Sequence, residues 1–275
     1  MDAKNLIACR VAQELKDGDV VNLGIGLPTL IPDYLAEGIH ITLQSENGFL
    51  GMGPLNGEVL PDLVNAGGKP CGMVPGTAFF DSAMSFAIIR GGHVDVTVLG
   101  GLEVDQHGNL ANWMVPGKMV PGMGGAMDLV TGAKNVIVAM EHATKSGGAK
   151  ILKRCSLPLT AAGKVTAIVT ELAVFRFIDG QLVLTETAPG VSLDEIRAKT
   201  EADYVVSPDC HAMKLPRNKA PSRVLAPASP TGARSGSPTP TSSPPSPSSS
   251  SPSRRWRWAA RRRRSRSTSA SRSGT

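Results

Sequence analysis

Acidic residues are missing altogether from positions 216–275 of this 275-residue chain, where 13 Lys and Arg stand among Ser and Pro. That absence divides the sequence in two. Residues 1–215 carry 16 Lys and Arg against 23 Asp and Glu, a net charge of −7, so the whole-chain value of +6 belongs to the tail. An ordinary acidic domain is therefore expected over 1–215, and the overall basic balance is no argument for nucleic-acid binding there. Aromatics are scarce as well, at 4%, and residues 1–215 hold a single tryptophan, Trp113. It reads as core packing rather than as a platform for stacked bases. No apolar run reaches the roughly 18 residues a membrane span needs, and the first helix is amphipathic rather than signal-like. The expectation is a cytoplasmic protein with no membrane contact. Cys9, Cys71, Cys155 and Cys210 form no CxxC pair and have no His at ligand spacing, so they read as reduced structural thiols. The five histidines (His40, His93, His107, His142 and His211) show no metal spacing either, and no metal is expected.

Glycine, by contrast, is plentiful, with 30 residues, and with so few aromatics it suits an α/β protein whose elements pack closely. Leu6, Ile7, Val11 and Leu15 fall on one face of a helix over 3–16, which Asp17-Gly18-Asp19 ends. Val20–Leu23 reads as a strand and Gly24-Ile25-Gly26-Leu27-Pro28-Thr29 as a tight loop before a helix at about 29–37. Strand, glycine-rich turn and helix in succession offer backbone N–H groups to a ligand, but the third glycine and the distal acid of a dinucleotide fingerprint are absent. Residues 54–76 read as loop, Phe79–Arg90 as a helix stopped by Gly91-Gly92, and Val94–Leu99 and Val136–Met140 as buried parallel strands. Asp105 to Asn109 has turn chemistry, and Lys118 precedes a loop from Pro121 in which Gly124-Gly125 leads into a helix. Strand-like runs follow at 165–169, 173–178 and 182–186. The helix at Ser192–Lys199 opens with a Ser192/Glu195 capping box. Strands spaced by helices predict one parallel-rich α/β domain over 1–215.

Between the alternating run Ile39–Leu43 and glycines at 48, 51 and 53 lies Ser45-Glu46-Asn47-Gly48. A carboxylate leaving a buried strand into a glycine-rich turn is poorly solvated and open to close backbone approach, which makes it reactive. Taken alone, Glu46 reads first as a residue that caps or hydrogen-bonds its own turn, and only its neighbourhood reverses that.

From Pro216 onward, apolar residues nearly vanish apart from Trp256 and Trp258, and too little can be buried to offset chain entropy. The segment 216–275 is expected to be disordered. Arg254-Arg255-Trp256-Arg257-Trp258 fits a polybasic arm, while the Arg, Ser, Pro, Ala and Gly bias also fits GC-rich DNA read out of frame.

Taken together, Asn22-Leu-Gly-Ile-Gly-Leu-Pro28, Ser45-Glu-Asn-Gly48, Leu99-Gly-Gly-Leu-Glu-Val-Asp-Gln106, Gly108-Asn-Leu-Ala-Asn-Trp113 and Gly122-Met-Gly-Gly-Ala-Met-Asp128 resemble the B (β) subunit of class I 3-oxoacid CoA-transferases over residues 1 to about 214. The likeness is greatest to acetate/acetoacetate (short-chain fatty acid) CoA-transferase β subunits of bacteria, with succinyl-CoA:3-oxoacid and 3-oxoadipate transferases as near neighbours. The resemblance implies an α/β fold of the NagB/RpiA/CoA-transferase type with a parallel-rich sheet. It also implies ping-pong transfer through a glutamyl anhydride and a glutamyl-CoA thioester. By that likeness Glu46 is the nucleophile, Asn22 the side-chain oxyanion donor and Gly125 a backbone donor. Gly24, Gly26, Asn47, Gly48 and Gly124 would bind substrate or CoA, as would Lys69, which stands one residue later than the family's lysine. No cofactor is implied, since CoA is a substrate held only transiently on Glu46. The partner implied is a separate CoA-transferase α subunit, in an α2β2 heterotetramer, with acyl-CoA and short-chain carboxylates as small-molecule partners. An acyl-CoA hydrolase, in which water intercepts the anhydride, and a non-catalytic ligand sensor with a nucleic-acid-binding tail are the alternatives.

Overall fold

The computed structural model describes residues 1–55, 59–117 and 122–215. Lys118, Pro121 and the whole 216–275 segment lie outside the described residues. Among those described, five parallel strands form the centre of a ten-stranded sheet, in the order β2 (Thr42–Ser45), β1 (Val20–Leu23), β5 (Val96–Leu99), β8 (Asn135–Ala139) and β10 (Ala167–Val169). Antiparallel strands widen it on both sides, with β3 (Phe49–Gly53) and β4 (Gly72–Phe79) beyond β2, and β11 (Ala173–Ile178) and β12 (Gln181–Thr187) beyond β10. The last strand, β13 (Val205–Ala212), runs parallel to β12 at the far edge. A small sheet of β7 (Leu110–Ala111), β6 (Glu103–Asp105) and β9 (Ile151–Leu152) stands apart.

Period-2 alternation decides which helices cover which face. In β8, Val136 and Val138 face a core that contains Ile89, Leu129 and Ile196, whereas Ile137 and Ala139 face one that contains Ile7, Val11 and Ile31. The first face is therefore covered by α2 (Ser82–Arg90), α3 (Ala126–Gly132) and α4 (Leu193–Lys199), and the second by α1 (Ala3–Ala12) and a 3-10 helix at Leu27–Tyr34. With each buried Val, Ile or Leu contributing about 1.5–3 kcal/mol, strands lined on both faces are held firmly between the helical layers.

Several expectations are corrected by this packing. The first helix stops at Ala12 and is buried through Ile7 to Ala12 rather than along one stripe. Even Arg10 is 4% exposed. Its guanidinium forks onto Glu186 of β12, with Nε 2.7 Å from Oε2 and Nη2 against Oε1. Arg10 Nη1 also stands 2.7 Å from Glu14 Oε1, which accepts from Arg176 Nη2 at 2.6 Å, so α1 is tied to two strands by buried charge. Part of the stretch read as loop over 54–76 is strand from Gly72, an edge position that tolerates Pro75. The Ser192/Glu195 box is half formed. Ser192 Oγ accepts from Glu195 N at 3.1 Å, but the Glu195 carboxylate takes Lys199 Nζ at 2.8 Å instead of reaching back.

His142, just beyond β8, is fully buried. Its ring nitrogens stand 2.9 Å from Thr170 Oγ1, past the end of β10, and 2.9 Å from Thr200 Oγ1, at the end of α4. The imidazole thus joins α4 to the sheet. Burial, reinforced by the positive charges of Lys199 and Lys150 against the opposing Glu195, pushes its pKa down to about 4. In the unfolded chain it titrates near 6.5, so as pH falls from 6.5 towards 4 the unfolded state gains a proton that the folded state refuses. Stability is therefore present in full above pH 6.5 and drains away below it, by an amount on the order of 3 kcal/mol at the low end. In urea unfolding between pH 7 and pH 4.5, the midpoint of the wild-type protein should fall more steeply than that of His142→Gln; equal slopes would remove His142 as the cause.

Candidate active site

The carboxyl ends of β1, β2 and β5 converge where the chain, having placed β2 on one side of β1, places β5 on the other. In parallel α/β sheets, ligands bind at such a switch of strand order. A cleft of about 610 Å³ opens there, its floor formed by Asn22, Gln44 and Glu46. The volume is in the range of small-molecule sites.

Strand register puts Asn22 there. Val21 faces the α1 side, so its neighbour Asn22 points to the opposite face, paired across the sheet with Gln44 of β2 and Thr97 of β5. Asn22 is 1% exposed, and its Nδ2 donates to Gln44 Oε1 at 2.7 Å and to Glu46 Oε2 at 3.2 Å. Gln44 Nε2 in turn donates to Ser85 Oγ of α2 at 3.1 Å. Glu46, half-buried past the end of β2, therefore sits at the end of a run of buried polar side chains. From the far wall the entry to α3 comes down over it. A Cβ on Gly125 would stand 3.4 Å from both Cγ and Oε1 of Glu46, an ordinary contact distance, so Gly125 lies beside the carboxylate. A carboxylate between a side-chain N–H and a close backbone is equipped to attack an electrophile and to have negative charge on its own oxygens stabilised.

The other residues singled out in the sequence divide between the cleft and its supports. Gly24, Gly26, Gly124 and Lys69 line the cleft. Gly24 is also a packing residue, because its N–H donates to Val98 O at 2.8 Å and a Cβ would stand 3.1 Å from that oxygen. Lys69 follows a turn in which Asn65 Oδ1 accepts from Gly67 N at 2.9 Å and from Lys69 N at 3.0 Å. The added glycine, Gly68, takes a positive φ of 72° in open space, and the lysine still lines the cleft. Asn47 and Gly48 are turned away. Asn47 Nδ2 donates to Val64 O at 2.8 Å, holding the loop that carries Asn65 and Lys69. Gly48 has φ 128° and lies against Phe80. Trp113, expected in the core, is instead part of the cleft wall, with its indole N–H 3.3 Å from Leu159 O. Among the described residues no group of His, Cys, Asp and Glu could hold a metal ion. Burial and the nearby Asp105 and Glu103 push the Cys155 thiol up to about 12, so it stays protonated.

Gln44 and Ser85 carry no motif and escaped the sequence reading. The apolar-polar alternation of residues 39–43 makes the polar side of β2 look solvated, and only the position of α2 shows that it is covered.

Residues 4–199 match the model of the family described as Coenzyme A transferase. The chain is 68% identical over 214 residues to the acetate CoA-transferase subunit beta of Escherichia coli K12, covering 78% of this chain and 99% of that one. It is 48% identical over 215 residues to the mitochondrial succinyl-CoA:3-ketoacid coenzyme A transferase 2A of Rattus norvegicus, covering 77% of this chain but 41% of the rat protein. The acyl-CoA transferase YdiF of Escherichia coli O157:H7 superposes with a TM-score of 0.64 at 26% identity, over 78% of this chain and 43% of YdiF.

The turn that carries Glu46 rests on Gly48. An added Cβ would come within 2.3 Å of Phe80 O, at a φ that L-residues avoid. Gly48→Ala should cost about 2–3 kcal/mol in denaturant unfolding; a variant as stable as the wild type would show that the turn relaxes freely.

Proposed function

We infer that this chain, which belongs to the Coenzyme A transferase family, is the β subunit of an enzyme that moves CoA between an acyl-CoA and a short-chain carboxylate. Acetate and acetoacetate are the proposed carboxylates, on the strength of 68% identity to an acetate CoA-transferase β subunit over almost its whole length. Exchange between succinyl-CoA and a 3-oxoacid, as named for the rat relative, is the second reading. The observation that carries the reading is the Glu46 carboxylate, 3.2 Å from Asn22 Nδ2 and flanked by the Gly125 backbone.

The reaction proposed has two balanced halves. A Glu46 oxygen attacks the thioester carbon of the acyl-CoA; the carbon–sulfur bond breaks and CoA leaves as thiolate, giving an acyl-glutamyl anhydride. The thiolate then adds to Cδ of Glu46, and the bond from Cδ to the acyl-bearing oxygen breaks. The first carboxylate product departs and CoA remains as a glutamyl thioester. The acceptor carboxylate reverses both steps. In the second addition, negative charge develops on the remaining Glu46 oxygen, where Asn22 Nδ2 and the Gly125 N–H are the proposed donors. One such donor is worth about 10²–10³-fold in rate. No group in the scheme changes oxidation state and each leaving group is accounted for, so the steps as written need no redox cofactor.

Because the matched region accounts for 41% of the rat enzyme, the remainder of a working transferase is proposed to come from a separate α subunit. Lys69 is the one cation among the described residues lining the cleft, so further CoA contacts would fall to that partner. A ping-pong transferase working through Glu46 requires nothing of residues 216–275. We read the composition of that segment as suiting out-of-frame translation, and the protein as cytoplasmic.

Co-expression with an α subunit should give CoA transfer from acetoacetyl-CoA to acetate faster than to succinate, with little free CoA formed when no acceptor is present. Borohydride should inactivate only after acyl-CoA is added, by reducing a thioester at Glu46, and Glu46→Ala should abolish both transfer and trapping. Trapping that persists in Glu46→Ala would place the nucleophile elsewhere.

A further inference from the structure

The carboxylate does not hold its own oxyanion donor in place throughout the reaction, because its charge disappears once it is acylated. We propose that Gln44 and Ser85 are positioning residues that keep the Asn22 amide aimed at Glu46 in the covalent intermediates, a role that rests on the Glu46 mechanism proposed above.

The Asn22 amide is constrained from one side only. Its Oδ1 is buried and has no hydrogen-bond partner among the described residues, so no hydrogen bond on the carbonyl side of the group opposes rotation. On the nitrogen side, Nδ2 has three acceptors: Gln44 Oε1 at 2.7 Å, Glu46 Oε2 at 3.2 Å and the Gln44 backbone oxygen at 3.3 Å. A flipped amide would set Oδ1 against those oxygens. While Glu46 is a carboxylate, its charge helps to hold the amide. In the anhydride and the thioester it is a neutral acyl group and a weaker acceptor, so the shortest remaining contact is Gln44 Oε1. At that stage the donor has to be aimed already, since preorganised donors are what lower the barrier.

Gln44 can serve only if its own amide presents oxygen rather than nitrogen, and Ser85 supplies that constraint. Gln44 Nε2 donates to Ser85 Oγ at 3.1 Å, while the Ser85 hydroxyl faces Ser45 O at 3.5 Å and so keeps a lone pair for the amide. Both residues are almost fully buried, Gln44 at 1% and Ser85 at 0%. Ser85 thus fixes the Gln44 amide, Gln44 Oε1 fixes the Asn22 amide, and Asn22 Nδ2 is left facing Glu46. Ser85 sits in α2, whose first turn Asp81 caps by accepting from Met84 N at 2.8 Å, so the series begins on a rigid element. Although Gln44 forms part of the cleft floor, its burial leaves it almost no surface for a substrate.

The test uses the complex with an α subunit. Gln44→Met keeps the length of the side chain and removes both polar ends of the amide. It should lower kcat by roughly 10–100-fold and leave KM for the acyl-CoA within about twofold, the pattern of an interaction felt in the transition state. The loss stays partial because the backbone acceptor at 3.3 Å remains. Ser85→Ala should have the same signature at a few-fold magnitude, and serves in place of Gln44→Met if that variant fails to fold. The decisive measurement is a double-mutant cycle with Asn22→Ala. If Gln44 and Ser85 act through Asn22, either substitution should change kcat by less than about twofold in the Asn22→Ala background. Additive losses, a rise in KM at constant kcat, or a wild-type kcat in both single variants would overturn the proposal. Absence of transfer by the wild-type complex would instead overturn the transferase reading itself.

Discussion

Burying an amide in the middle of a parallel sheet costs about 1–3 kcal/mol for each group left unpaired, and this protein accepts that cost at Asn22. On either side, the row across β2, β1 and β5 is polar, through Gln44 and Thr97, where the rest of the buried parallel core, Ser45 apart, is Val, Ile, Leu and Ala. Within the row Asn22 Nδ2 pairs with Gln44, while Asn22 Oδ1 and Thr97 Oγ1 lack hydrogen-bond partners among the described residues. A core selected for stability alone would fill that row with aliphatic side chains. Keeping it polar places a directed N–H at the carboxyl end of β1, beside the Glu46 carboxylate on the cleft floor.

Close approach of backbone is the second requirement, and glycine meets it at the Glu46 turn. Gly125 places the entry of α3 beside Glu46, and Gly48 lets the Glu46 turn lie against Phe80, whose N–H donates to Gly48 O at 2.9 Å just ahead of α2. The same α2 carries Ser85. Thus one helix both supports the turn that bears the carboxylate and starts the hydrogen-bond series that orients its neighbour. The antiparallel pair β3 and β4 continues the sheet past β2. It turns what would have been an edge strand into an interior one, while α2 covers the face on which Gln44 lies.

Much of the fold was legible from periodicity and punctuation. The strand at Val20–Leu23 and the antiparallel strand Ala173–Ile178 lie where the sequence pattern puts them. Strands without a local signature were missed. The edge strands β4 and β13 contain Pro75 and Pro208, and the two-residue strands β7 and β9 are too short to show a period. Of the site, Glu46, Asn22 and Gly125 could be named because they lie in long motifs that resemble those of the CoA-transferase family, and Asn22 and Gly125 both stand beside Glu46 in the structure. Asn47 and Gly48 belong to the same motif but support the turn instead of facing the cleft.

The sequence by itself determined the α/β class, the position of a carboxylate at the end of a strand, and the coenzyme A transferase likeness, since each is written in residues close together along the chain. Which polar residues share a floor was decided only by tertiary structure. Asn22, Gln44 and Ser85 are 22 and 41 positions apart in succession, and nothing local distinguishes a polar residue facing water from one roofed by a helix. Parallel register sets Asn22 beside Gln44, and the packing of α2 sets Ser85 above them. The Glu46 carboxylate is thus a property of the sequence, whereas the aim of the amide beside it is a property of the fold.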